Sequence, residues 1–181
     1  MDLNIESPDG YPDESLFAIR VDVASQTAHF LREGSGVKSW PVSTSRFGLG
    51  SEPGSYKTPT GRFRIAEKIG AGAPLWSVFR SRLPTGEIAE PGGDQDGILS
   101  RILWLEGLDP DNQNTRERFI YFHGTNQEDL IGTPASHGCI RMKNSDIAEL
   151  FDLVPVGTLV VISAAENDGT PSAPHGRESR Q

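Results

Sequence analysis

The sequence predicts a mainly β domain with one main helix, and three observations predict it. Short apolar or alternating runs of strand length recur along the chain. Clusters of Gly, Pro, Asp and Ser separate them, which is turn chemistry. Only one segment repeats its apolar residues at helical spacing over several turns.

Taken in order, residues 16–23 end in alternation and predict the first strand. Residues 26–31 follow across a tight connection, so the two form a hairpin. Further strands are expected over 37–44, 61–65, 98–105 and 118–123, and a last buried one over 158–162. The helix begins at Asn144 as its cap, with Asp146 and Glu149 in its early turns. Ile147, Leu150, Phe151 and Val154 form its apolar stripe, and Pro155 and Gly157 end it. A short helical turn is expected near 126–130. Residues 47–59 and 83–97 read as long glycine- and proline-rich loops, suited to binding walls or lids as well as to plain surface connections.

The chain has 181 residues and carries a formal charge of -8, without a Lys/Arg block. Its length fits one domain with a real core, and its charge excludes electrostatic nucleic-acid binding as a main function. That domain is expected over residues 15–163, between disordered tails at 1–14 and 164–181 that have almost nothing to bury. No apolar run approaches the length of about 18 residues that spans a bilayer. The first residues lack a basic region followed by an apolar one, so the protein is expected to be cytoplasmic, or periplasmic if a leader was removed.

The single cysteine, Cys139, excludes an intrachain disulfide and lies in Ser136-His137-Gly138-Cys139-Ile140-Arg141-Met142. A lone cysteine is ordinarily a small buried hydrophobe. Here two imidazoles stand by to take its proton, and a thiol attacks efficiently only as its thiolate. His123, at the end of a predicted strand, is the better base because a strand end holds a side chain rigidly. His137 shares a side with Cys139 if the segment is extended and not if it is a tight turn, so it is read as a residue of the oxyanion side or as a structural histidine. Gly138 permits close approach of a substrate carbonyl, and the amides near Gly138 and Cys139 are candidate oxyanion donors. Ser136 either hydrogen-bonds within the site or ends the loop. Arg141 is a candidate grip for a substrate carboxylate, with a surface salt bridge as the alternative, and Tyr121 is assigned to substrate binding. His123, His137 and Cys139 could together ligate zinc, but no second cysteine or H-E-x-x-H spacing supports it, and no metal is assigned.

His123-Gly124-Thr125, followed after a spacer by Ser136-His137-Gly138-Cys139-Ile140-Arg141-Met142, resembles the active-site signature of the L,D-transpeptidase catalytic domain, the YkuD-type fold. Residues 41–45 and Lys57-Thr58-Pro59-Thr60-Gly61-Arg62-Phe63 resemble the family's other landmarks, and the resemblance covers roughly residues 16–163. It implies a curved β-sandwich with a helix beside the active site. It also implies an acyl-enzyme on Cys139, with His123 as general base and Gly124 orienting His123 through its carbonyl. His137, Gly138 and the Cys139 amide would line the oxyanion side. The implied partners are peptidoglycan stem peptides or muropeptides, with covalent inhibition by carbapenems and no cofactor. Attack falls on the carbonyl of the third residue, a diamino acid, and D-alanine leaves. Family members often have asparagine where this chain has Arg141. The segment 78–117 resembles a subgroup associated with cytoplasmic cell-wall recycling, which favours an L,D-carboxypeptidase over a cross-linking transpeptidase. A catalytically silent peptide binder is the remaining alternative.

Overall fold

The computed structural model describes residues 16–93 and 95–165. The expected tails lie outside these residues, apart from Ala164 and Ala165, which continue the chain beyond its last strand. The strands are β1 Phe17–Asp22, β2 Thr27–Arg32, β3 Ser35–Pro41, β4 Gly61–Ile69, β5 Ser77–Arg80, β6 Leu83–Ile88, β7 Ile98–Gly107, β8 Tyr121–Gly124, β9 Ile140–Met142 and β10 Leu159–Ser163. The helix is α1, Asn144–Leu153, and short 3-10 helices span Pro110–Thr115 and Glu128–Leu130. No helix among the described residues is long and apolar enough to cross a membrane.

All ten strands belong to one hydrogen-bonded sheet, ordered β3-β2-β1-β10-β4-β7-β5-β6, with β8 added on β7 and β9 on β8. The curvature expected of a sandwich takes this form: the sheet branches at β7. Leu99 pairs with Val78 of β5 and also with Gly124 of β8. Between Leu99 and Ile102 the register shifts, and Ser100 there adopts a left-handed φ of 66°. The extra residues of this bulge, Ser100 and Arg101, bend the strand; β4 and β5 follow one another along one edge of β7, and β8 takes the other.

The first hairpin pairs Phe17 with Arg32 and Asp22 with Thr27, close to the predicted run. β4 runs four residues past its expected end, and its ladder with β7 reaches Ile69. β8 starts at Tyr121, later than expected, because Phe119 before it is left-handed at φ 56°. Three strands were hidden in the sequence, and the first, β5, has only four residues. β6 lies inside the segment read as a loop; it pairs only with β5, is mostly exposed and carries Pro84, which an edge strand tolerates. β9 has three residues, too few to show a period.

The apolar stripe of α1 closes the core: Ile147, Leu150 and Phe151 pack with Phe63, Leu103, Leu105, Phe122, Ile140 and Met142. Asn144 does not cap the helix. Lys143 holds the cap position, without a side-chain cap bond. Asn144 instead turns inward, where its amide donates to Thr125 O and its Oδ1 accepts from Ser100 Oγ at 2.6 Å. It thereby ties the helix to the β7 bulge and the end of β8.

Candidate active site

β8 and β9 run parallel, with Phe122 opposite Ile140 and His123 opposite Arg141. Side chains alternate faces along a strand. Phe122, Ile140 and Met142 therefore enter the main core, whereas Tyr121 and Cys139 belong to a separate cluster with Ile102, Phe79 and Trp104. His123 and Arg141 share that second face. Cys139, two residues before Arg141, is thus the diagonal neighbour of His123, a position within side-chain reach across a sheet.

The thiol is held by main chain on two sides. Sγ donates to Phe119 O at 3.3 Å and accepts from Tyr121 N–H at 3.4 Å. The residue keeps a partial opening to solvent. Burial pushes the thiol up to about 12, opposed by the Tyr121 N–H and raised further by the Asp96 carboxylate. The opening relieves part of that burial, and at neutral pH the sulfur still carries its proton. His123 is buried, and desolvation holds its pKa below the usual 6.5 despite Asp96 and the Gly124 carbonyl, which favour the cation. Its Nδ1 lies 2.6 Å from Gly124 O. A proton on Nδ1 donates to that carbonyl and leaves Nε2 as the basic nitrogen. The thiol and the imidazole on this shared face are thus both neutral at rest.

The turn before β9 is shaped by Ser136 and Gly138. Ser136 is fully buried; its Oγ donates to Cys139 O at 2.6 Å and accepts from Gly138 N at 3.2 Å. Gly138 has φ 122°, and a Cβ there would come 3.3 Å from Lys57 O, so only glycine fits without strain. Thr58 Oγ1 donates to Gly138 O at 2.9 Å and accepts from Ser45 N at 3.0 Å, which brings both upstream landmark segments under the turn. The Gly138 N–H is thus engaged, a correction to its expected place among oxyanion donors. The Cys139 N–H has no acceptor among the described residues and remains the candidate donor.

His137 is exposed; its ring packs on Phe47 and Tyr56, with centroids 5.6 and 5.9 Å away, and its Nε2 lies 3.1 Å from Arg46. With Tyr56, Pro53, Arg118 and Ile120 it lines a cavity of about 330 Å³. The three side chains considered as zinc ligands are not gathered, because His137 turns to this aromatic wall.

Arg141 corrects the sequence reading. It is fully buried, paired with Asp96 at 3.0 Å, and donates to Gln127 Oε1 and Ser43 Oγ. Its guanidinium has no exposed surface to offer a carboxylate. Asp96, which sequence reasoning missed, also accepts from Thr125 Oγ1 and ties the glycine-rich segment before β7 to the base of the site. Nothing in its local sequence distinguishes it from the other acidic residues of that segment. Tyr121 is nearly buried, and its hydroxyl accepts from Arg82 at 3.3 Å.

The model of the YkuD family, the L,D-transpeptidase catalytic domain, matches residues 17–162. The chain is 54% identical over 152 residues to the putative L,D-transpeptidase YkuD of Bacillus licheniformis, covering 84% of this chain and 68% of that one. It is 46% identical over 138 residues to the probable L,D-transpeptidase YbiS of Escherichia coli, covering 73% of this chain and 36% of that protein. The chain thus spans well under half the length of some curated relatives that it matches. Its fold is similar to that of the L,D-transpeptidase LdtMt1, solved in complex with imipenem, at TM-score 0.53 and 22% identity over 81% of this chain and 58% of that one.

Proposed function

The chain belongs to the L,D-transpeptidase catalytic-domain family, and from that premise we propose that it is a cysteine acyl-transferase acting on peptidoglycan stem tetrapeptides, with water as its acceptor. The observation that carries the chemistry is the shared face of Cys139 and His123, with the thiol held between two main-chain groups beside an opening to solvent. Cys139 Sγ attacks the carbonyl of the third residue while His123 Nε2 takes its proton. The oxyanion accepts from the Cys139 N–H. The imidazolium then protonates the amine of D-alanine, which leaves, and a thioester remains. Water, deprotonated by His123, attacks the thioester and releases the tripeptide and the free thiol.

Hydrolysis is favoured by the resemblance of segment 78–117 to the recycling subgroup, and a cytoplasmic location goes with it. The second reading, cross-link formation in the periplasm, is favoured by the names of the relatives. The test incubates the protein with free tetrapeptide, alone and with an amine acceptor, and resolves the products by mass spectrometry. Tripeptide in both mixtures supports the carboxypeptidase. A condensed product supports the transpeptidase. No product, together with no imipenem adduct on Cys139, overturns both and leaves a peptide binder.

A further inference from the structure

The hairpin from β5 to β6 turns at Ser81 and Arg82, both left-handed at φ 48° and 67°. This is the two-residue turn whose twist matches paired strands. It sets Arg82 on an aromatic shelf. The guanidinium carbon lies 4.7 Å from the Trp104 ring centroid and 5.1 Å from that of Phe119, and Nη1 donates to Tyr121 Oη. Two of these residues also hold the nucleophile by main chain: Phe119 O accepts from Sγ, and Tyr121 N–H donates to it. Arg82 therefore shares Phe119 and Tyr121 with the thiol, and it lies outside the residues that line the His137 cavity.

No carboxylate pairs with Arg82 among the described residues, whereas Arg116, stacked on the same Trp104, is paired with Glu67 at 3.2 Å. Burial raises the Tyr121 pKa above the usual range for tyrosine, so its hydroxyl stays neutral and supplies no anion. The shelf thus holds two guanidinium groups and one carboxylate, an unbalanced cation in a protein of net charge -8. A guanidinium fork resting on aromatic faces, with most of its N–H groups unused by protein, suits a bidentate carboxylate.

We propose that Arg82 is the receptor for a carboxylate of the donor peptide and sets specificity for it. This rests on the acyl-transfer reading above. The donor offers two such groups, the C-terminal carboxylate of D-alanine and the side-chain carboxylate of a diamino acid such as diaminopimelate.

Three substrates separate them: the native tetrapeptide, its C-terminal carboxamide, and a tetrapeptide with lysine at the third position. Arg82→Gln is expected to lose about 10- to 100-fold in kcat/KM on the native peptide, the scale of a charge-assisted hydrogen bond. It is expected to lose nothing on the analogue that lacks the recognised carboxylate. Equal losses on all three overturn the proposal. A second readout needs no substrate: the rates at which iodoacetate and iodoacetamide alkylate Cys139, followed by intact mass. The iodoacetate-to-iodoacetamide ratio is expected to fall in Arg82→Gln and to return in Arg82→Lys. A ratio unchanged by Arg82→Gln, or unrestored by Arg82→Lys, overturns the proposal. If the wild type hydrolyses none of the peptides, the assigned reaction fails, and the alkylation ratio decides the role of Arg82 by itself.

Discussion

The two faces of the β8–β9 pair share one backbone register and differ in everything their side chains do. Toward the core, Phe122, Ile140 and Met142 are fully buried against Leu103 and Ile147. On the other face, the same strands and the turn before β9 present Tyr121, His123, Cys139 and Arg141, each bonded to a polar group. The difference teaches that a two-residue period lets stability and chemistry be changed separately on a single pair of strands. The left-handed residues around the site, Tyr56, Phe119 and Gly138, lie on the segments that frame the reactive face. Tyr56 and Phe119 pay a conformational cost that an extended backbone avoids, and such strain clusters where a group must be aimed.

The sharpest break between the faces is Cys139→Ala. It removes all acylation by imipenem, seen as loss of the mass adduct, and leaves the thermal midpoint unchanged; a persisting adduct places the nucleophile elsewhere. His123→Ala comes next, with a loss of about 10²- to 10⁴-fold in the acylation rate at an unchanged fold. Near-normal acylation in that variant would transfer the role of base to His137.

The pH profile sharpens the same point. Desolvation lowers the His123 pKa, so the imidazole stays neutral below pH 6.5 and can still accept a proton there. The acylation rate is expected to hold as pH falls through 6.5 and to drop only once the pH passes below the lowered value. A drop centred at or above 6.5 contradicts the buried neutral base.

On the core face the sign reverses. Phe122→Ala is expected to cost about 3–5 kcal/mol of stability by denaturant titration, because a fully buried ring leaves a cavity. The molecules that remain folded should acylate at the wild-type rate. Arg141→Lys has the smallest effect, about 1.5–3 kcal/mol, from loss of bonds to Asp96, Gln127 and Ser43. It should leave KM equal for substrates with and without carboxylates. A rise in KM confined to carboxylate-bearing substrates would return Arg141 to the substrate.

Much of the fold was legible because its signals are local. Alternation marked the end of β1, short runs between turn residues marked β2 and most of β7, and the stripe of α1 showed as Ile147, Leu150 and Phe151. β6 was not, since an exposed edge strand with one partner buries no face and leaves no period. Asn144 was misread because its type suits a cap, whereas its amide finds Thr125 and Ser100 across the fold. At the site, the pairing of Cys139 with His123 stood out as residue chemistry in a motif, and Ser136 and Gly138 were singled out with it. Asp96 and Arg82 were not singled out as site residues, although both lie in the segment 78–117 whose resemblance to a subgroup was noted, as neither carries a local signal of what it touches.

The order of residues alone determined the alternation at the end of the first strand, the helical stripe and a single cysteine preceded by two histidines, since these are read along the chain itself. Only the tertiary structure decided which arginine is sealed in and which stands open. Arg141 follows the thiol by two positions yet is sealed behind Asp96, while Arg82 is far away in the chain and through a hairpin turn comes to share Phe119 and Tyr121 with the thiol. Burial and charge pairing are set by strands that meet across the sheet, and no local pattern encodes that meeting.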